Sequence, residues 1–337
     1  MTIPHEKNFC GGNFDDWLEV KLTNVCNGSC TWCVEHDGFV PAQDVAWFTL
    51  ADSIIKTDAM NIMLLGGEPT LYRDLVPFVS GLLDQGRKIL TTTNGSTLHV
   101  PKVLEALKKT HGVNISIHHY DMSRNGDITG VLLDDRLLHN AVRELTKAGV
   151  DVRLNCNLIE GQIDRFAEVQ MFVRFARHLG ASSVRFAELK GDGGGFVDAR
   201  FVFRGRVEDS LLPLDPFTGG CWHEFELDGM HINLRLMCGL QTTARPAPKD
   251  PQQATKQVMY SDGEIREGWL KMTKTERDIQ LLVRQGVLSQ QAADQLLNSF
   301  EADLKVEGDK VRAATQVQAQ VQGQFHAPTP SGGGCVY

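Results

Sequence analysis

The stretch VCNGSCTWC, Val25 to Cys33, carries three of the chain's eight cysteines, Cys26, Cys30 and Cys33. Their spacing is C-x3-C-x2-C, with no second knuckle. Structural zinc is nearly always four-coordinate, so a zinc site needs His36 as its fourth ligand. A redox dithiol at Cys30 and Cys33 leaves Cys26 unexplained. Three core cysteines do not suit the loop residues Asn27, Gly28 and Ser29 that separate them. An iron–sulfur cluster accounts for the trio better. A [4Fe–4S] cube ordinarily takes four thiolates. Three leave one iron open, and an open position is what a metal needs to bind a substrate.

Around this loop the chain alternates. Strand-like runs lie at 17–24, 60–67, 88–95, 113–121, 150–159 and 182–190, separated by helix-like segments such as VPKVLEALKKTH and LLHNAVRELTKAG. Six strand–helix alternations predict a parallel sheet with crossover helices. The fold class is α/β, as a six-unit open barrel or a doubly wound sheet. In either, reactive groups belong at the C-terminal ends of the strands. The polar oddities fall there: the cysteines after the first run, GGEPT after the second, TTTNGS after the third, SIHHYD on the fourth, NCN in the fifth and RFAE in the sixth.

Residues 1–15 read as an N-terminal extension, 16–190 as the barrel, and 191–270 as a loop and hairpin cap turning at Asp228-Gly229. Residues 271–315 read as helical, and 316–337 as a mobile Gly-, Pro- and Gln-rich tail. The 337 residues carry a net charge of −8, which argues against nucleic acid as the main partner. The N-terminus has no apolar signal segment and no run is long enough to span a membrane. The expectation is a cytoplasmic protein whose cysteines stay reduced.

The cysteine trio, with Trp32 before its last member and Gly66-Gly67-Glu68-Pro69 at the end of the second strand, resembles the radical S-adenosylmethionine (SAM) superfamily. The resemblance covers residues 16–190. It implies a partial (β/α)6 TIM-like barrel, a [4Fe–4S] cluster on Cys26, Cys30 and Cys33, and SAM bound at the open iron. It also implies an oxygen-sensitive biosynthetic enzyme in which one electron splits SAM to a 5′-deoxyadenosyl radical that abstracts hydrogen. By the same resemblance Trp32 sits near the adenine, and Gly66, Gly67, Glu68 and Pro69 line the SAM amino group. Thr92, Thr93 and Asn94 lie near the ribose and carboxylate. Strand alternation places Ser116 and His118 on one face of the fourth strand, with Tyr120 returning inward, and Asn155 with Asn157 on one face of the fifth. Arg185, in the sixth strand, suits a carboxylate. His118, Tyr120 and Arg185 are the substrate-side candidates, with Ser116, Asn155 and Asn157 on the cofactor side. Glu188 faces the other way.

Cys221 and Cys238 flank the hairpin and are candidates for an auxiliary cluster. Cys156 reads as a core residue. The implied substrate is a small polar metabolite, a nucleotide, sugar or amino acid derivative. The implied electron donor is flavodoxin or ferredoxin. The alternatives are a peptide maturase and, in another class, a non-catalytic iron–sulfur or zinc sensor.

Overall fold

The computed structural model describes residues 17–33, 35, 38–41, 43–189, 195–204, 206, 222–236, 257–270 and 274–297. The chain divides into two compact units, Met1–Met272 and Thr273–Tyr337. In the second, helix α8 (Lys274–Arg284) has Glu276 in its first turn, where the helix dipole favours an acid.

The first unit is built on the six expected strands: β1 (Trp17–Lys21), β2 (Asn61–Leu65), β3 (Lys88–Thr93), β4 (Gly112–Ser116), β5 (Asp151–Leu158) and β6 (Ser183–Glu188). They pair in parallel, in chain order. The crossovers carry α1 (Trp47–Ile55), α2 (Leu75–Asp84), α3 (Pro101–Leu107), α4 (Met122–Thr129), α5 (Asp135–Lys147) and α6 (Phe166–Leu179), with α7 (Ala199–Phe203) after β6. Helix α4 is an addition to the expected set. Its sequence, MSRNGDIT, is too polar to show an apolar stripe, and it is set instead by capping. The Asp121 carboxylate accepts from the Ser123 and Arg124 amides, and Gly130 ends it at φ 71°.

Strand alternation divides the sheet into two faces. On the outer face, Leu18, Val20, Ile62, Leu64, Ile89, Val113, Ile115, Val152, Leu154, Val184 and Phe186 are buried in one core cluster with helix residues. Those residues recur at helical spacing, as Phe78, Val79 and Leu82 of α2 and Val169, Phe172, Val173 and Ala176 of α6 do. Each large apolar side chain contributes about 1.5–3 kcal/mol on burial. Cys156 belongs to this core, as the sequence suggested.

Among the described residues the sheet is open and ten-stranded, in the order β10-β9-β1-β2-β3-β4-β5-β6-β8-β7. Its two ends are formed by the described strands of 191–270. The hairpin β7 (Trp222–Leu227) and β8 (Met230–Arg235) does turn at Asp228 and Gly229, both at positive φ. It extends the sheet. β8 pairs with β6 in parallel, from Ser183↔His231 to Ala187↔Arg235. At the other end β9 (Gln257–Met259) joins β1, with β10 (Ile265–Glu267) antiparallel beyond it. The physical reason is at the edges. β1 and β6 would each leave a row of unpaired backbone groups, and the two short hairpins pair them. Among the described residues no helix is long and apolar enough to cross a membrane.

Candidate active site

The inner face of the sheet is polar where the outer is apolar, and strand register sorts its residues into layers. Thr92, Asn114, Arg153 and Ser183 stand side by side. One step toward the strand ends come Ser116, Asn155, Arg185 and Asn233. In the first layer Arg153 Nε donates to Asn114 Oδ1 at 2.9 Å and Asn114 Nδ2 donates to Thr92 Oγ1 at 3.1 Å. In the second, Asn155 Oδ1 is buried without a hydrogen-bond partner. Both polar atoms of the Asn24 side chain, beside the end of β1, are likewise unpartnered. Buried polar groups are nearly always satisfied, and leaving one unmade costs about 1–3 kcal/mol. These atoms are candidates to meet polar groups of a ligand.

The cysteine loop sits at the C-terminal end of β1. The Cys33 amide donates to the Cys30 carbonyl at 3.1 Å, and the Gly28 amide donates to Cys26 Sγ at 3.3 Å. The end of α4 holds the loop from the side: the Thr129 carbonyl accepts from the Ser29 amide at 2.7 Å and from the Cys30 thiol at 3.9 Å. Burial, then the neighbouring Cys33 and Cys26, push the Cys30 thiol up to about 11. Burial also raises Cys33, against an opposing hydrogen bond from the Glu35 backbone. Three thiols within electrostatic reach resist ionising together, and a bound metal cluster relieves that resistance. Among the described residues no three His, Cys, Asp or Glu side chains converge to hold one ion. A cubane asks for less convergence, because each thiolate takes an iron of its own. The donor set therefore fits a [4Fe–4S] cluster. His36, the fourth ligand of the zinc alternative, lies outside the described residues, as do Cys221, Cys238 and the C-terminal tail.

The Gly66–Pro69 segment has a structural explanation that sequence did not supply. Gly66 has φ 136°, and a Cβ there would stand 2.4 Å from the Thr23 carbonyl oxygen. A Cβ on Gly67 would stand 2.3 Å from that of Val25. The glycines make room for backbone: Gly67 N–H donates to Thr23 O at 2.7 Å and Glu68 N–H to Val25 O at 2.8 Å. The end of β2 is thereby bonded to the segment leading into Cys26. Glu68, 1% exposed, anchors the next loop. Its Oε1 accepts from the Thr70 amide at 3.1 Å, from the Thr70 hydroxyl, and from Thr93 Oγ1 at 2.6 Å; its Oε2 accepts from the Asn94 amide at 2.6 Å. Pro69 opens a short 3-10 turn, Pro69–Leu71. The Asn94 side chain then donates to Asn27 Oδ1, inside the cysteine loop, at 2.8 Å. Thr93 and Glu68 thus bind each other, while Thr92 takes the inner face.

His118 lies just past β4. Its amide donates to Asn125 Oδ1 at 2.8 Å, and its Nδ1 accepts from the Asn157 amide at 3.1 Å. That acceptor role leaves the proton on Nε2. Burial lowers its pKa to about 4, so the ring is neutral. It meets Trp32 edge to face, centroids 5.2 Å apart. Tyr120 differs from the inward reading. Its hydroxyl donates to Glu168 of α6 at 2.7 Å, because the chain has left the strand after Ser116 and strand alternation no longer applies. Glu188 caps α7 from the outer face, accepting from the Ala199 amide at 3.0 Å. Lys21, on the inner face of β1, was not picked out by the sequence reading. The signal was the period-2 polar set Glu19, Lys21, Thr23 inside an otherwise apolar strand.

Comparison with known proteins adds to this geometry. The profile of the Radical SAM superfamily matches residues 20–175. A probable GTP 3′,8-cyclase of Saccharolobus islandicus is 32% identical over 178 residues, 51% of this chain and 56% of that protein. One from Sulfurisphaera tokodaii is 30% identical over 188 residues, 53% and 57% respectively. The chain thus spans about half the length of these relatives. Among solved structures, Streptococcus suis SuiB bound to S-adenosylmethionine aligns with TM-score 0.53 at 16% identity, over 81% of this chain and 68% of that one. This likeness is one of fold.

Proposed function

We propose that the chain, whose residues 20–175 match the Radical SAM superfamily, is an enzyme that uses a [4Fe–4S] cluster and SAM to abstract hydrogen from a small polar metabolite seated on the inner face of its sheet. Held by Cys26, Cys30 and Cys33, the cluster would supply the single electron for reductive cleavage of SAM, the source of the hydrogen-abstracting 5′-deoxyadenosyl radical.

The chain's own residues then do four things. Cys26, Cys30 and Cys33 hold the cluster. Gly66 and Gly67 fix the end of β2 against the cysteine loop, and Glu68 fixes Thr93 and Asn94 beside it, so the loops facing SAM are rigid before it binds. Ser116, Asn155, Asn157 and Arg185 supply hydrogen-bonding groups. His118, neutral, offers an Nε2–H donor and no charge. The observation that carries the reading is the orphaned acceptor of Asn155 in a polar inner layer, at the strand ends that also carry the trio.

The similar proteins are probable GTP 3′,8-cyclases, so a purine nucleoside triphosphate heads the substrate panel, followed by sugars and amino acid derivatives. The electron donor in the cell is a flavodoxin or ferredoxin, and a reducing compartment, the cytoplasm, suits an oxygen-sensitive cluster. Anaerobically reconstituted protein is expected to be brown and to release 5′-deoxyadenosine with dithionite and SAM, faster with the true substrate. A colourless, zinc-loaded protein, or a cubane whose spectrum ignores SAM, defeats the proposal.

A further inference from the structure

Lys21 is an ammonium in the interior. Its side chain is 1% exposed, on the inner face of the strand that leads into the trio. Nζ lies 2.5 Å from Glu35 Oε2 and donates to the Phe39 carbonyl at 2.9 Å. The rings of Tyr260 and Trp269 cover it, centroids at 5.6 and 6.0 Å. Even the small size of Gly38 is used, since a Cβ there would stand 3.1 Å from Nζ. The cover is tied down in turn: the Phe39 amide donates to the Leu270 carbonyl at 2.9 Å, and the Leu270 amide to the Tyr260 hydroxyl at 2.8 Å.

What Lys21 holds is the chain leaving the cluster ligands. Glu35 stands two residues past Cys33. The second oxygen of Glu35, Oε1, is buried without a hydrogen-bond partner, so this carboxylate depends on Lys21. A buried ion pair gains little stability over apolar groups of the same volume. Stability alone does not account for placing one against the trio.

We propose that Lys21 is a positioning residue for the iron–sulfur cluster: through Glu35 and the Phe39 carbonyl it fixes the backbone that follows Cys33, and its fixed positive charge makes the cluster easier to reduce. The physical basis is that net charge and hydrogen bonds to sulfur are among the protein's levers on cluster potential. Lys21 acts on the first through its own ammonium, and steadies the segment after Cys33 through Glu35 and Phe39. The proposal rests on the cluster being at Cys26, Cys30 and Cys33. It also gives the segment 257–270 a role, as the cover that keeps water from the ammonium and preserves its field.

The test compares the wild type with Lys21→Met, Glu35→Gln and the double variant. Each is loaded anaerobically and titrated without SAM, with the reduced cluster followed by electron paramagnetic resonance and iron content and circular dichroism measured alongside. Lys21→Met is expected to disfavour reduction about tenfold, a 59 mV downward shift for one electron. Glu35→Gln should shift it upward, and the double variant should fall between. Lys21→Met strands a buried carboxylate and risks unfolding. If it does not fold, the difference between Glu35→Gln and the double variant isolates the ammonium, since both lack the carboxylate. Equal potentials in those two overturn the proposal. A wild type that forms no cubane defeats the cluster assignment instead, and the two failures are told apart by the wild-type spectrum alone.

Discussion

Glu68→Gln changes one oxygen to an NH2 group in a side chain that keeps its length and shape. The wild-type carboxylate serves only donors: three on Oε1 and the Asn94 amide on Oε2. A glutamine does best with its carbonyl in the Oε1 position, keeping those three. Its NH2 then faces the Asn94 N–H, donor against donor, with the group 1% exposed. One charge-assisted bond is lost and one backbone donor is left unmade, at about 1–3 kcal/mol. Against a total stability of about 5–15 kcal/mol, this lowers the melting temperature of the apo protein by a few degrees. The loss is local, so amide hydrogen exchange should accelerate about 5- to 150-fold at Asn94 while the Thr70 amide changes less. SAM affinity should fall with it, because the β3 loop loses its tether to the β2 loop. Unchanged exchange at Asn94 would falsify the account of Glu68 as the anchor between these loops and return it to a direct ligand role.

Gly67→Ala should be more damaging than Glu68→Gln, because its Cβ meets the Val25 carbonyl oxygen at 2.3 Å; impaired iron loading measures the displaced cysteine loop, and normal loading contradicts that backbone contact. Cys30→Ala should abolish cluster-dependent release of 5′-deoxyadenosine with the circular dichroism spectrum unchanged, and retained cleavage contradicts the ligand assignment. His118 adds a pH dependence to stability. Its pKa is about 4 when folded and 6.5 when unfolded, so the unfolded chain binds the extra proton between those values. The stabilising contribution is complete above pH 6.5 and is lost as pH falls toward 4, by about 2 kcal/mol at pH 5 and about 3 kcal/mol below pH 4. Urea unfolding of wild type and His118→Gln at pH 7.5 and 5 should show that loss in the wild type only; parallel behaviour contradicts a buried neutral ring.

All six central strands were legible because their buried outer residues are apolar at period 2, and the crossover helices because theirs recur at helical spacing. The trio and Gly66–Pro69 were legible as chemistry-bearing motifs for a related reason: residues that do not fit a core or an ordinary turn stand out against that background. What stayed hidden depends on contacts between segments distant in the chain. That Gly66 and Gly67 face the Thr23–Val25 backbone, that Thr93 and Asn94 share one carboxylate, and that Tyr120 reaches Glu168 are facts of packing, with no local pattern to announce them. The hairpin at 222–235 was visible as a hairpin, but nothing in its alternation says whether it covers a mouth or completes an edge. The ion pair of Lys21 with Glu35 is the clearest case: the sequence shows a lysine in a strand and a glutamate after a cysteine, and only the folded chain brings the two together away from water, where their charges are less screened.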